Sequence, residues 1–230
     1  SVSAAGGGHA HSGFSICLID GFPAEMRNDA LFFNIHGHRL NHDKLKANGS
    51  GYTGSHAPDL MMANDTRFLG LSLRQGPGNA LFYADWQDDT SCHRTDSLRW
   101  DRSDGRIYRL RYGKSTPWSG NLQKASDLEL ATYQAGRDEW LLRTARTVLQ
   151  ERVASGKSLD PDAVEFLNKT LTSHSDPTRR LRAFWTLYAC GLIDPSTQRG
   201  GEDPHVLNWA IRLDAEDHEI SAQALSRWMD

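Results

Sequence analysis

Apolar residues in the first half of the chain come in short runs separated by glycine-rich punctuation. Runs at 14–19, 30–35, 38–45, 69–74, 80–85 and 106–112 read as strands, because short β-branched or aromatic stretches bounded by turn residues suit a pleated, half-buried surface. The punctuation is Asp20-Gly21, Asn48-Gly49, Gly76-Pro77-Gly78-Asn79 and Asp104-Gly105. Regular short strands of this kind predict an antiparallel sandwich or a propeller.

Beyond residue 113 the period changes. Leu141, Leu142, Ala145, Val148 and Leu149 recur at helical spacing, as do Val164, Leu167 and Leu171, and again Leu181, Phe184, Trp185, Tyr188 and Leu192. Asp160-Pro161, Asp176-Pro177 and Asp203-Pro204 each set a capping acid before a proline at the first helical position. Gly136, Gly156 and Gly191 stand where helices should stop. Leu142-Arg143-Thr144-Ala145 returns as Leu181-Arg182-Ala183-Phe184 and as Leu207-Asn208-Trp209-Ala210, a HEAT-like pattern with a period of about 40 residues. The expected organisation is strands over residues 1–113, a linker over 114–124 and HEAT-like helices over 125–230.

Composition sharpens that division. Residues 1–113 hold 14 of the 20 glycines and 7 of the 10 histidines. A net charge of −3, from 26 basic and 29 acidic residues, gives no basic face for nucleic acid. No run approaches the roughly 20 apolar residues of a membrane-spanning helix. Cys17, Cys92 and Cys190 are too few and too scattered for a disulfide framework or a cysteine-rich zinc site. The start lacks the charged and apolar segments of a signal peptide and an initiator Met, so the chain is expected to be a piece of a longer one. Gly-x-Gly-x-x-Gly, Walker, His-Glu-x-x-His and Gly-x-Ser-x-Gly motifs are absent, which leaves nucleotide-dependent enzymes and the common hydrolases unsupported.

Candidate chemistry gathers in the glycine-rich half. His9-x-His11 and His36-x-His38, if extended, present two imidazoles to one face, since strand side chains alternate. Such pairs suit a metal, or a pocket in which one histidine takes a proton from a substrate hydroxyl. The competing reading has them hydrogen-bonding backbone at turns. Asp85 and Asp88, with Trp86 between them, follow an apolar strand at its turn; they either ligate calcium, a hard ion that takes oxygen donors, or cap a surface turn. His93 and Arg94 offer a cation to a carboxylate or quinone oxygen, and Arg39 points away from His38 if both are in a strand. The two groups are expected to meet at one mouth. In the helical half, Arg179, Arg180 and Arg182 read as a solvated ridge, and Trp140, Trp185, Trp209 and Trp228 as packing anchors.

The order of several motifs carries a resemblance. Gly8-His9-Ala10-His11-Ser12-Gly13, Gly21-Phe22-Pro23, Asn34-Ile35-His36-Gly37-His38-Arg39, Gly49-Ser50-Gly51-Tyr52, Leu73-Arg74-Gln75-Gly76-Pro77, Asp85-Trp86-Gln87-Asp88 and Gly105-Arg106-Ile107-Tyr108-Arg109 follow one another. In this the chain resembles the large membrane-bound dehydrogenases of planctomycetes and verrucomicrobia. Those combine a glucose/sorbosone-dehydrogenase-type β-propeller, HEAT repeats and usually a cytochrome c domain. The resemblance implies the last blades of a propeller, a periplasmic or cell-surface parent, and oxidation of a sugar or polyol. His9, His11, His36 and His38 would be the catalytic candidates. Arg39, Asp85, Trp86, Asp88, His93 and Arg94 would bind substrate or cofactor. It also implies pyrroloquinoline quinone with calcium as cofactor. Here the sequence departs from the pattern: Pro77 is followed by Gly78-Asn79 without the expected aspartate, and Leu69 and Leu71 stand where arginines would clamp the quinone. Haem c has no Cys-x-x-Cys-His to attach to. Roughly 113 residues make two or three blades of about 40–45 residues, too few to close a ring, so the isolated chain is expected to be inactive. The alternative expectation is a non-catalytic carbohydrate- or protein-binding propeller and solenoid scaffold.

Overall fold

Alternating burial turns the short apolar runs into pleated sheets. The structure, a computed structural model, describes residues 10–90, 101, 103–114, 117–197, 203–216 and 225–226. The chain divides into two units, residues 1–118 and 119–230, the first built of antiparallel sheets and the second of helices. Among the described residues the strands close neither a barrel nor a propeller.

One sheet runs β1 (His11–Ile16), β2 (Ala30–Asn34), β3 (Arg39–Asn48) and β4 (Gly51–His56), with the short β5 (Met61–Met62) also pairing with β3. The other runs β6 (Gly70–Gly76), β7 (Ala80–Asp85) and β8 (Arg106–Leu110). Leu31 and Phe33 of β2 and Leu40 of β3 pack with Leu73, Leu81 and Tyr83 of the second sheet and together form the core. Removing such a side chain from water stabilises by about 1.5–3 kcal/mol, an upper estimate.

Strands β1 and β6 lie against one another, and two glycines make this approach feasible. Gly13 has a φ of 63° inside the bulge of β1, where an added Cβ would stand 2.7 Å from the backbone nitrogen of Leu73. A Cβ on Gly70 would reach within 2.3 Å of the Phe33 ring. Ser12 Oγ donates to the Gly70 carbonyl at 2.7 Å, and Gln75 Nε2 donates to the Ile16 carbonyl at 2.6 Å. Strand β8 has no alternation of buried and exposed positions, its first four residues being exposed. Ile107 is 83% exposed, while Tyr108 stacks on Tyr83 with ring centroids 5.4 Å apart.

Helices α1 (Asp127–Thr132), α2 (Glu139–Ala154), α3 (Pro161–Ser173), α4 (Pro177–Ala189) and α5 (Pro204–Asp214) follow. Asp160, Asp176 and Asp203 accept from the backbone N–H two residues on, each with proline at the first helical position, and Asp138 caps α2 in the same way. Burial keeps step with the cap. The third and seventh residues after it are buried in α3 (Ala163, Leu167), α4 (Arg179, Ala183) and α5 (Val206, Ala210). That register corrects the expected arginine ridge, since Arg179 and Arg182 are buried. It also separates Arg143, whose side chain is 70% exposed, from its sequence counterpart Arg182. Among the described residues no helix is long and apolar enough to cross a membrane.

Candidate functional site

Antiparallel pairing gathers those predicted residues that the structure describes at one end of the two sheets. His11 begins β1 opposite Asn34, which ends β2. Arg39 begins β3, Gly70 begins β6, and Asp85 ends β7 opposite both Gly70 and Arg106. The His36-Gly37-His38 segment is a turn between β2 and β3 and not an extended strand. Asn34 Oδ1 accepts from Gly37 N–H at 2.8 Å, and His38 takes a left-handed φ of 48°. Two imidazoles on one pleated face is therefore the wrong picture for this pair.

His38 Nδ1 lies 2.8 Å from the Phe68 carbonyl, a contact in which the nitrogen must carry the hydrogen. On the other side of the same peptide, Leu69 N–H donates to Asp85 Oδ1 at 2.9 Å. The carbonyl oxygen and amide nitrogen are about 2.3 Å apart across one planar peptide, so imidazole and carboxylate lie within about 8 Å. Asp85 Oδ1 also accepts from Gln87 N–H at 3.0 Å, and Oδ2 stands 3.9 Å from Arg106. The Asp85 side chain is 1% exposed, so these donors surround a carboxylate removed from water.

Asp88 is buried as well; its Oδ1 accepts from Thr90 N–H at 3.2 Å, and its own N–H donates to the Arg67 carbonyl at 3.0 Å. Trp86 donates its backbone N–H to the Leu69 carbonyl, and the residue is 52% exposed. Arg39 reaches Asp59 at 3.0 Å. His9, His93 and Arg94 lie outside the described residues. Among the described residues no three His, Cys, Asp or Glu side chains stand close enough to hold a metal ion, and Asp85 and Asp88 each give one oxygen, Oδ1, to backbone amides.

His11 takes a different place. Its ring meets the edge of Phe32 at 5.2 Å, and Phe14 stacks on Phe32 at 6.5 Å. His11, Ser12, Gly13, Phe14 and Phe32 wall a cleft of about 340 Å³, with Phe14 61% exposed.

Several polar groups escaped the sequence reading. Arg67 pairs with Asp101 and, at 2.9 Å, with Asp89. Ser103, through its hydroxyl and then its amide, and Arg67 after it hold Asp101 down at about 2. Asp101 in turn pushes Arg67 up. His42 Nε2 meets Asp29 at 2.7 Å in the core. One signal for this pair was present: His42 falls on the inward side of β3, two residues from Leu40, and a buried polar group requires a partner. Glu139 and Arg182 form a buried pair in the helical unit.

No protein-family model matches the chain, and neither a curated protein nor a solved structure matches it.

Proposed function

We propose that the chain is a non-catalytic binding segment of propeller-and-solenoid type, taking a sugar or polyol in the aromatic cleft of β1 and β2. The observation that carries this reading is the cleft itself. Phe14 and Phe32 offer flat apolar surface to the C–H face of a sugar ring, and His11 supplies a hydrogen-bonding group beside them. Support for the architecture comes from two meandering sheets whose first strands pack side by side. The carboxylates that a dehydrogenase would use serve the backbone through one oxygen each: Asp85 Oδ1 holds two amides and Asp88 Oδ1 a third.

A second reading, a piece of a sugar or polyol dehydrogenase with pyrroloquinoline quinone and calcium, draws on His38. Fixing its proton on Nδ1 leaves the Nε2 lone pair free to take a proton from an alcohol. Both readings are tested together by titrating the chain with a panel of sugars and polyols, and by following dye reduction after addition of quinone and calcium. Saturable binding lost in Phe14→Ala, without dye reduction, is the expected result. Failure of every sugar and polyol to bind overturns the proposal, and dye reduction lost in His38→Ala favours the dehydrogenase.

A further inference from the structure

A cavity of about 370 Å³ opens in the helical unit, lined by none of the residues that carry the proposed function. Glu139, Leu142, Arg143 and Arg146 of α2, Arg182 and Trp185 of α4, and Trp209 of α5 line it. Spacing explains the α2 wall, because residues three, four and seven apart share a helix face. Trp185 and Trp209 meet edge to face with centroids 4.9 Å apart.

The charges in this wall do not cancel. Arg182 pairs with Glu139 and donates to the Gly136 carbonyl at 3.1 Å. Arg143 leans on the other Glu139 oxygen at 3.3 Å and is largely in water. Arg146 has no carboxylate within ion-pair distance among the described residues. Its one side-chain hydrogen bond there, to Gln134 Oε1, is 3.5 Å long, and its Nε is buried without a partner. The guanidinium lies over the Trp185 ring at 5.4 Å, and the buried indole Nε1 of Trp185 likewise has no hydrogen-bond partner among the described residues. Burial first, and Arg143 second, lower the Arg146 pKa to about 10, the mark of a cation short of an anion.

We infer that this cavity binds a small molecule that joins a carboxylate to a flat apolar body. The planar guanidinium of Arg146 matches a planar carboxylate in a two-pronged contact, which a tetrahedral anion fits less well. Three arginines against one glutamate leave the wall at +2, but the Arg143 side chain is 70% exposed and screened by water, so Arg146 is the cation that lacks a counter-charge among the described residues; one negative charge answers it, and Glu139 in the wall disfavours a second. Leu142, Trp185 and Trp209 give the body an apolar wall, and the volume falls within the range of small-ligand sites.

Benzoate is a suitable probe, titrated into the full chain and followed by tryptophan fluorescence and by the NMR shifts of the indole N–H groups. Benzamide, its uncharged counterpart, and inorganic phosphate form the comparison arms. The expected result is saturable perturbation of Trp185 and Trp209 by benzoate, at least about tenfold weaker with benzamide or phosphate, since about 1.4 kcal/mol separates each decade of affinity. Arg146→Gln should abolish the effect, and Arg146→Lys should weaken it while keeping the charge. Arg143→Gln should leave it within about threefold, as an exposed charge contributes little. Trp209→Leu, which keeps every charge, guards against a folding defect in the arginine variants and should weaken benzoate binding. The inference fails if benzoate gives no saturable change, if benzamide or phosphate binds as well, or if Arg146→Gln retains affinity.

Discussion

Replacing Asp85 by alanine removes the acceptor of two backbone donors at once. Leu69 N–H and Gln87 N–H lie 2.9 and 3.0 Å from the same carboxylate oxygen, in a side chain that is 1% exposed. Each buried amide left without an acceptor costs roughly 1–3 kcal/mol, so the pair together should lose about 2–4 kcal/mol after some relaxation. A loss of 2 kcal/mol corresponds to about thirtyfold faster amide exchange through local opening. Hydrogen exchange followed by NMR reads both amides directly. Leu69 and Gln87 should be protected in the parent chain and lose at least that factor in Asp85→Ala. Asp85→Asn keeps an acceptor oxygen, though it gives up the attraction to Arg106 at 3.9 Å, and should lose less. His38→Ala should loosen the Phe68–Leu69 peptide from its other side, because His38 holds the carbonyl. Equal exchange at Leu69 and Gln87 in parent and Asp85→Ala would refute the reasoning: the carboxylate would then be free for substrate or metal.

Gly70→Ala should destabilise the sheet unit by about 1–3 kcal/mol in urea unfolding, since the new methyl would enter the fully buried Phe33 ring; an unchanged midpoint would show that the sheets part easily. Phe14→Ser should lower binding of a hydrophobic dye and any self-association, because Phe14 is a large apolar side chain, 61% exposed, beside Phe32; dye binding equal to the parent's would place the exposed apolar patch elsewhere. In Asp203, burial raises the pKa, but the hydrogen bonds from Arg180 and the His205 N–H outweigh it and leave the group lowered. Its folded-state pKa thus lies below the ordinary 3.8, so its contribution is present above that pH and lost as pH falls through the lowered value. Helicity followed by circular dichroism on acidification below about pH 4 should fall, and Asp203→Asn should flatten the fall; an identical acid profile in the variant would rule out this cap as the cause.

Much of the sheet unit was legible because its apolar runs are short and its turns carry glycine or proline. Residues 80–85 form β7 as expected, and the apolar run at 30–35 is β2 with its last residue given to the turn. Strand β4 was not legible: Gly51-Tyr52-Thr53-Gly54-Ser55-His56 is exposed throughout and is held by backbone pairing with β3, which leaves no apolar pattern. The starts of α3, α4 and α5 were plain from their Asp-Pro pairs, whereas α1 and α2 are capped by Ser126 and Asp138 without a proline. The arginines of α4 misled because a charged ridge usually faces water, whereas Arg182 is drawn inward by Glu139, 43 residues away in sequence. For the candidate site, the sequence placed histidines and aspartates near strand ends, and His38 and Asp85 do come together at one end of the sheets. It did not show that His38 sits at a positive φ, or that Asp85 and His38 grip opposite sides of one peptide. Those facts depend on Phe68 and Leu69, two apolar residues whose backbone does the pairing. The cleft at His11 and the cavity at Arg146 were hidden for a related reason: each is completed by residues distant in sequence, Phe32 in the first and Arg182, Trp185 and Trp209 in the second.

The most direct test of the proposed function is an intermolecular NOE experiment on the chain with a bound sugar or polyol. Contacts from the ligand's C–H protons to the rings of Phe14 and Phe32, with none to His38, are the result expected of a binding segment. Contacts at His38, or a sugar that binds without touching either phenylalanine, would contradict it.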